Sequence, residues 1–134
     1  MNFNKLIPEL TVSNLKRSRD FYTKTIGFKT EYSREKFAFL SFHGTQIMIS
    51  ENDNWKTGTL ERPFGRGINF QIQVKDIKPI LNSLKKNNHS LFREPKNNWY
   101  RKEKQLLGNR EFLVQDPDGY LLRFFQHIGI KSVE

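Results

Sequence analysis

The feature that most constrains the fold is a pattern written twice. Leu10 to Phe28 reads LTVSNLKRSRDFYTKTIGF, which is an apolar strand end, a polar cap and a helix closed by Gly27. Ile72 to Asn88 reads IQVKDIKPILNSLKKNN, with Val74, Asp76 and Ile77 standing where Val12, Asn14 and Leu15 stand in the first copy. A chain of 134 residues, 36% of them hydrophobic, is long enough for one compact domain and too short for two independent ones. The expectation is a single domain over 1–134, with module one at about 5–51, a linker at about 52–66 and module two at about 67–128. Two similar halves direct the search for function to a groove between them.

Hydrophobic periodicity supplies the elements. LIPELTV alternates, with Leu6, Leu10 and Val12 on one face and Ile7, Glu9 and Thr11 on the other. Asn14 or Ser13 caps a helix that stops at Gly27. Strands are expected near 28–32, 37–42 and 46–50, the last two joined by a tight turn at His43, Gly44 and Thr45. In the second half, 68–74 alternates strictly, and Asp76 caps a helix with Ile77, Ile80, Leu81 and Leu84 at i, i+3, i+4, i+7 spacing. Pro79 is tolerated in its first turn. A short strand at 90–93, a polar excursion over 94–109, and strands at 110–115 and 120–126 complete the half. The turn between those last strands, Asp116-Pro117-Asp118-Gly119, places each residue type where a type I turn favours it. Each half therefore reads strand, helix, three strands.

The remaining composition excludes several functions. The chain has no cysteine, which removes disulfides, thiol nucleophiles and cysteine metal sites. It lacks the roughly 18 consecutive apolar residues of a membrane span, and a cytoplasmic location is the default expectation. The formal charge of +9 suits an anionic partner, but the basic residues are scattered among acids without a recognised nucleic-acid module, so nucleic acid is not the expected partner. His43, His89 and His127 fall in a turn, a loop and beyond the last strand, and are expected at the surface.

Two arrangements satisfy the polar faces. Ile7, Glu9, Thr11, Asn69, Gln71 and Gln73 line either a wetted sheet face or, where the sheets curl toward each other, a cleft.

REFLVQDPDGYLLRFFQ, NLKRSRDFYTKTIGF and the paired V-x-[ND]-[LI] starts resemble the vicinal oxygen chelate superfamily over about residues 5–128. That superfamily includes glyoxalase I, extradiol dioxygenases and bleomycin-resistance proteins. The resemblance implies an α+β fold of two βαβββ modules forming a cupped mixed β-sheet, a ligand cleft inside the cup and a homodimer. It also implies where metal ligands would stand: Ile7, Met48, Asn69 and Arg123. None of these is His, Asp or Glu, and Arg is a cation, so neither a metal nor another cofactor is expected.

The ending LRFFQHI, the opening IPELTVSNL and the stretch NNWYRKEKQLLGNREF, read as an aromatic-bearing loop, resemble the metal-free bleomycin-resistance group. By that resemblance the ligand-binding residues are Glu9, Met48, Asn69, Gln71, Trp99, Tyr100, Arg101, Arg123 and Phe125. Trp99 and Tyr100 serve either as a stacking platform or as anchors of their own loop. Arg101 and Arg123 suit a carboxylate, phosphate or sulfate, and Arg123 equally suits an ion pair with Glu9. The basic chain, with Glu9 as the one acid in the expected cleft, favours a neutral or anionic aromatic ligand over a cationic drug. Three readings follow. The first is a metal-independent binding protein that acts, where it confers antibiotic resistance, by sequestration. The second is a metal-independent lyase or isomerase with Glu9 as base. The third is non-specific binding of anionic polymers.

Overall fold

A computed structural model describes residues 1–133 of the chain. The chain divides into two compact units, Met1–Arg66 with Asp116–Tyr120, and Gly67–Gln115 with the strand from Leu121 onward. The segment read as a linker thus belongs with the first unit, as does the Asp116–Tyr120 turn.

In the first unit, strand β1 (Glu9–Thr11) leads into helix α1 (Leu15–Asp20), followed by strands β2 (Lys29–Arg34), β3 (Phe37–Phe42) and β4 (Thr45–Ser50). The Asn14 side chain accepts the Arg17 N–H at 2.9 Å and so satisfies one of the donors that a helix start leaves open. Beyond Asp20 the helix widens into a π-helical segment, Phe21–Ile26, and Gly27 ends it with φ of 115°. The strands order β1-β4-β3-β2, with β1 parallel to β4 and Glu9 opposite Met48. Phe37, Phe39, Leu40, Ile47 and Ile49 are buried, as are Leu10 and Val12. Leu6 is 86% exposed, so the apolar alternation read from 6 becomes a strand only at Glu9.

The second unit repeats the order with β5 (Asn69–Gln73), α2 (Lys78–Lys86), β6 (Arg93–Lys102), β7 (Gln105–Gln115) and β8 (Leu121–Ser132), arranged β5-β8-β7-β6. Asp76 Oδ1 accepts the Lys78 N–H at 2.9 Å. Ile80 and Leu84 form the buried side of α2, and Ile72, Phe112, Val114, Leu122 and Phe124 the buried side of the sheet. The polar excursion expected over 94–109 is instead a long β6–β7 hairpin, and the aromatic-bearing loop is regular strand. Its sequence reads as loop because β6 is an edge strand with little apolar surface to bury, while pairing to β7 satisfies its backbone.

The turn at 116–120 is held tightly within the first unit. Asp116 Oδ1 accepts the N–H groups of Asp118, Gly119 and Tyr120 at 2.9–3.0 Å, and Oδ2 accepts the Tyr22 hydroxyl. Burial raises the Asp116 carboxyl to about 6, and it pushes the Tyr22 and Tyr120 phenols up as well, the latter to about 12. Asp118, fully buried, accepts the Ser13 N–H and hydroxyl and pairs with Arg17 at 3.1 Å and Arg62 at 3.4 Å.

Candidate functional site

Strand alternation puts every second residue of the second sheet on the face opposite Phe112, Val114, Leu122 and Phe124. A pocket of ≈ 600 Å³ opens on that face. Parallel pairing sets Asn69 opposite Leu121, β8 then brings Arg123 two residues on, and β7 adds Glu111 and Leu113. The edge strand β6 closes the wall with Lys96, Asn98 and Tyr100.

Glu111 is the centre of the polar wall. It is 4% exposed, and its Oε1 accepts the Tyr100 hydroxyl and, at 2.8 Å, the Asn98 amide. Its Oε2 lies 3.2 Å from Arg123 Nε. The two atoms are buried and attract as an ion pair, but neither makes a hydrogen bond among the described residues. Burial and then the bond to Glu111 raise the Tyr100 phenol, which therefore stays a protonated donor at neutral pH. Arg123 also lies 5.8 Å from the Tyr100 ring centroid.

Of the residues expected from sequence, Asn69, Tyr100 and Arg123 line this pocket together. Gln71 and Phe125 stand on the same face beside Arg123, Gln71 directly opposite it and Phe125 two residues further along β8, outside the pocket wall. Trp99 and Arg101 alternate to the other face of β6. The indole there lies over Gly108, within 3.9 Å of Lys131 Nζ, while Arg101 Nε donates to the Glu103 carbonyl at 2.6 Å. The two-residue period of a strand makes Trp99 and Tyr100 point apart, so they do not form one platform. Glu9 and Met48 sit opposite each other in the first unit, where Glu9 accepts the Ser50 hydroxyl at 3.0 Å. The expected alternative of an Arg123–Glu9 ion pair is corrected, since the acid beside Arg123 is Glu111.

Glu111 is the residue that the sequence reading missed. Its signal was present: in REFLVQ, Phe112 and Val114 are the apolar positions, which forces Glu111 and Leu113 to the opposite face. His89 is half-buried rather than a surface residue, with Nε2 2.8 Å from the Gln115 carbonyl. Among the described residues no group of three or more His, Cys, Asp or Glu is placed to hold a metal ion. At the positions where ligands would stand in this pocket, Asn69 offers a weak neutral oxygen and Arg123 a cation, a donor set that does not suit a divalent ion.

Residues 6–124 match the family model of the Glyoxalase/Bleomycin resistance protein/Dioxygenase superfamily. The chain belongs to this superfamily. Within it, the chain is 28% identical to a bleomycin resistance protein of Geobacillus stearothermophilus and equally to one of Staphylococcus aureus, each match covering 91% of this chain and 96% of the relative. Among solved structures, a glyoxalase/bleomycin resistance protein/dioxygenase from Alicyclobacillus acidocaldarius superposes with a TM-score of 0.68 at 19% identity, covering 94% of this chain and 92% of that one. A hypothetical protein from S. aureus gives 0.71 at 20% identity, covering 94% and 95%. These structural likenesses establish the fold of a superfamily member, two four-stranded mixed sheets with few helices. No helix among the described residues is long and apolar enough to cross a membrane.

Proposed function

We propose that the protein is a metal-independent small-molecule binding protein of the glyoxalase/bleomycin-resistance type, acting as a homodimer, with its ligand held in the pocket around Arg123. The observation that carries this reading is the wall of Asn69, Asn98, Tyr100, Glu111 and Arg123, which gathers polar groups over a mixed apolar floor of Phe92, Leu113 and Leu121. A few placed polar groups in a concave apolar site are what ligand recognition requires. The likeness to bleomycin resistance proteins over nearly the whole chain supports binding as the activity. A resistance role, on this reading, is sequestration without chemical change. The Arg123 guanidinium at a metal position supports independence from divalent ions.

Native mass spectrometry of protein purified from cells tests this reading. The expected species is a dimer with a retained small molecule or an affinity for added aromatic ligands, and elemental analysis is expected to find no stoichiometric divalent metal. A stoichiometric metal ion bound through Asn69, or a ligand whose contacts leave Tyr100 and Arg123 unperturbed in labelled-protein spectra, overturns it.

A further inference from the structure

Resting on that reading, we infer that the ligand is an acceptor-rich anion, with a carboxylate or comparable planar oxyanion docked on Arg123 and Lys96. The argument is one of hydrogen-bonding capacity. Glu111 is the buried acid of the pocket, with Oε1 engaged by the protein's own donors and Oε2, which accepts no hydrogen bond among the described residues, closed off by burial against Arg123. Tyr100 and Asn98 both donate to Oε1, and Oε2 is buried against Arg123 Nε. A cationic ligand therefore finds no accessible acceptor on it. The same contacts commit the Tyr100 hydroxyl and the Asn98 amide as donors to the protein itself.

What is left facing the pocket consists mostly of donors. The Arg123 side chain is 25% exposed, its Nε side held by Glu111, so its terminal nitrogens are the part that meets a ligand. Lys96 and Arg93 join it from β6, both exposed and neither in an ion pair among the described residues. Asn69 adds an amide from β5. Glu94 is the opposing charge, and it sits at the exposed rim. A guanidinium fixed on its Nε side presents its outer edge as a fork, the geometry that matches a carboxylate bidentately. Phe92, Leu113 and Leu121 supply apolar surface for the body of such a molecule. Glu111 is on this account a positioning residue that fixes the guanidinium.

Benzoate, benzamide and benzylammonium share one aromatic body and differ in charge, which makes them suitable probes of the full-length protein by labelled-protein NMR titration. Benzoate is expected to bind at least about tenfold more tightly than either of the others, the scale set by one charge-assisted hydrogen bond. Arg123→Gln is expected to remove that preference, bringing the ratio of benzoate to benzamide affinity to about one. Lys96→Gln, at an exposed position that carries no packing, is expected to weaken benzoate about threefold by the loss of one partly screened charge. Equal binding of benzoate and benzamide, or tighter binding of benzylammonium, overturns the anion assignment and leaves the pocket as a binding site. No perturbation of Asn69, Tyr100 or Arg123 by any of the three overturns the anion assignment. If in addition no retained or added ligand reaches those residues in the native material, the binding reading falls with it.

Discussion

Tyr22 donates its hydroxyl to Asp116 Oδ2 at 2.7 Å across 94 residues of sequence, and both side chains are buried. This bond ties the end of the first helix to the turn between the last two strands, within one compact unit. Tyr22→Phe keeps the ring and leaves a buried carboxylate oxygen without its donor. A loss of about 1–3 kcal/mol is expected from the unmet acceptor. Urea unfolding of both proteins measures it, and an unchanged midpoint refutes the role.

The same carboxyl makes stability depend on pH. Its folded value of about 6 lies above the ordinary 3.8, because burial disfavours the charge. The folded state thus binds this proton more tightly than the unfolded chain does. The stabilisation is full below about 4 and is lost as pH rises through 6, an effect on the order of 3 kcal/mol by linkage. Asp116→Asn cannot titrate, so the difference in unfolding free energy between wild type and variant is expected to shift against wild type between pH 4 and pH 7. A difference that stays constant over this range removes Asp116 as the titrating group.

Gly119 and Gly44 separate two costs of adding a side chain. Both have positive φ, 102° and 83°, but a Cβ on Gly119 would stand 2.6 Å from Pro63 Cα whereas Gly44 faces open space. Gly44→Ala is expected to cost about 1–2 kcal/mol from backbone strain alone. Gly119→Ala adds a collision with backbone and is expected to cost at least twice as much or to prevent folding. Thermal melts of the two variants give the comparison, and equal losses would show that the turn relaxes around the methyl group.

Trp99 and Tyr100 are adjacent in sequence and opposed in space. Trp99→Ala removes an indole that covers Gly108 and meets Lys131, so stability is expected to fall by about 1–2 kcal/mol while ligand affinity stays within about twofold. Tyr100→Phe is expected to do the reverse, with a larger effect on affinity because Glu111 Oε1 keeps only Asn98 as donor. Calorimetric titration with one ligand, run on both variants, distinguishes them, and a large affinity loss in the Trp99 variant would place the indole in the site after all.

The doubled strand-helix-strand order was readable in the chain because it rests on local rules. Val12, Asn14 and Gly27 in one half, and Val74, Asp76 and the Ile77–Leu84 stripe in the other, carry period, cap and stop signals that need only near neighbours. The edge strand β6 escaped detection because its polar residues satisfy no periodic pattern and its backbone pairs only with β7. Tyr100, in a stretch that reads as loop, and Arg123 were named through the family resemblance, whereas Asn69 was identifiable as a residue of a polar face by alternation. Their company was not, because Arg123 meets Glu111 through the β7–β8 register and Glu111 meets Tyr100 through the β6–β7 register, and a strand sequence does not specify which residue lies across from it. By itself the sequence determined two like modules and the residues on each face. Only the tertiary structure decided that the buried acid of the pocket is already engaged, because Tyr100 and Asn98 at its Oε1 and Arg123 beside its Oε2 are brought together by pairing.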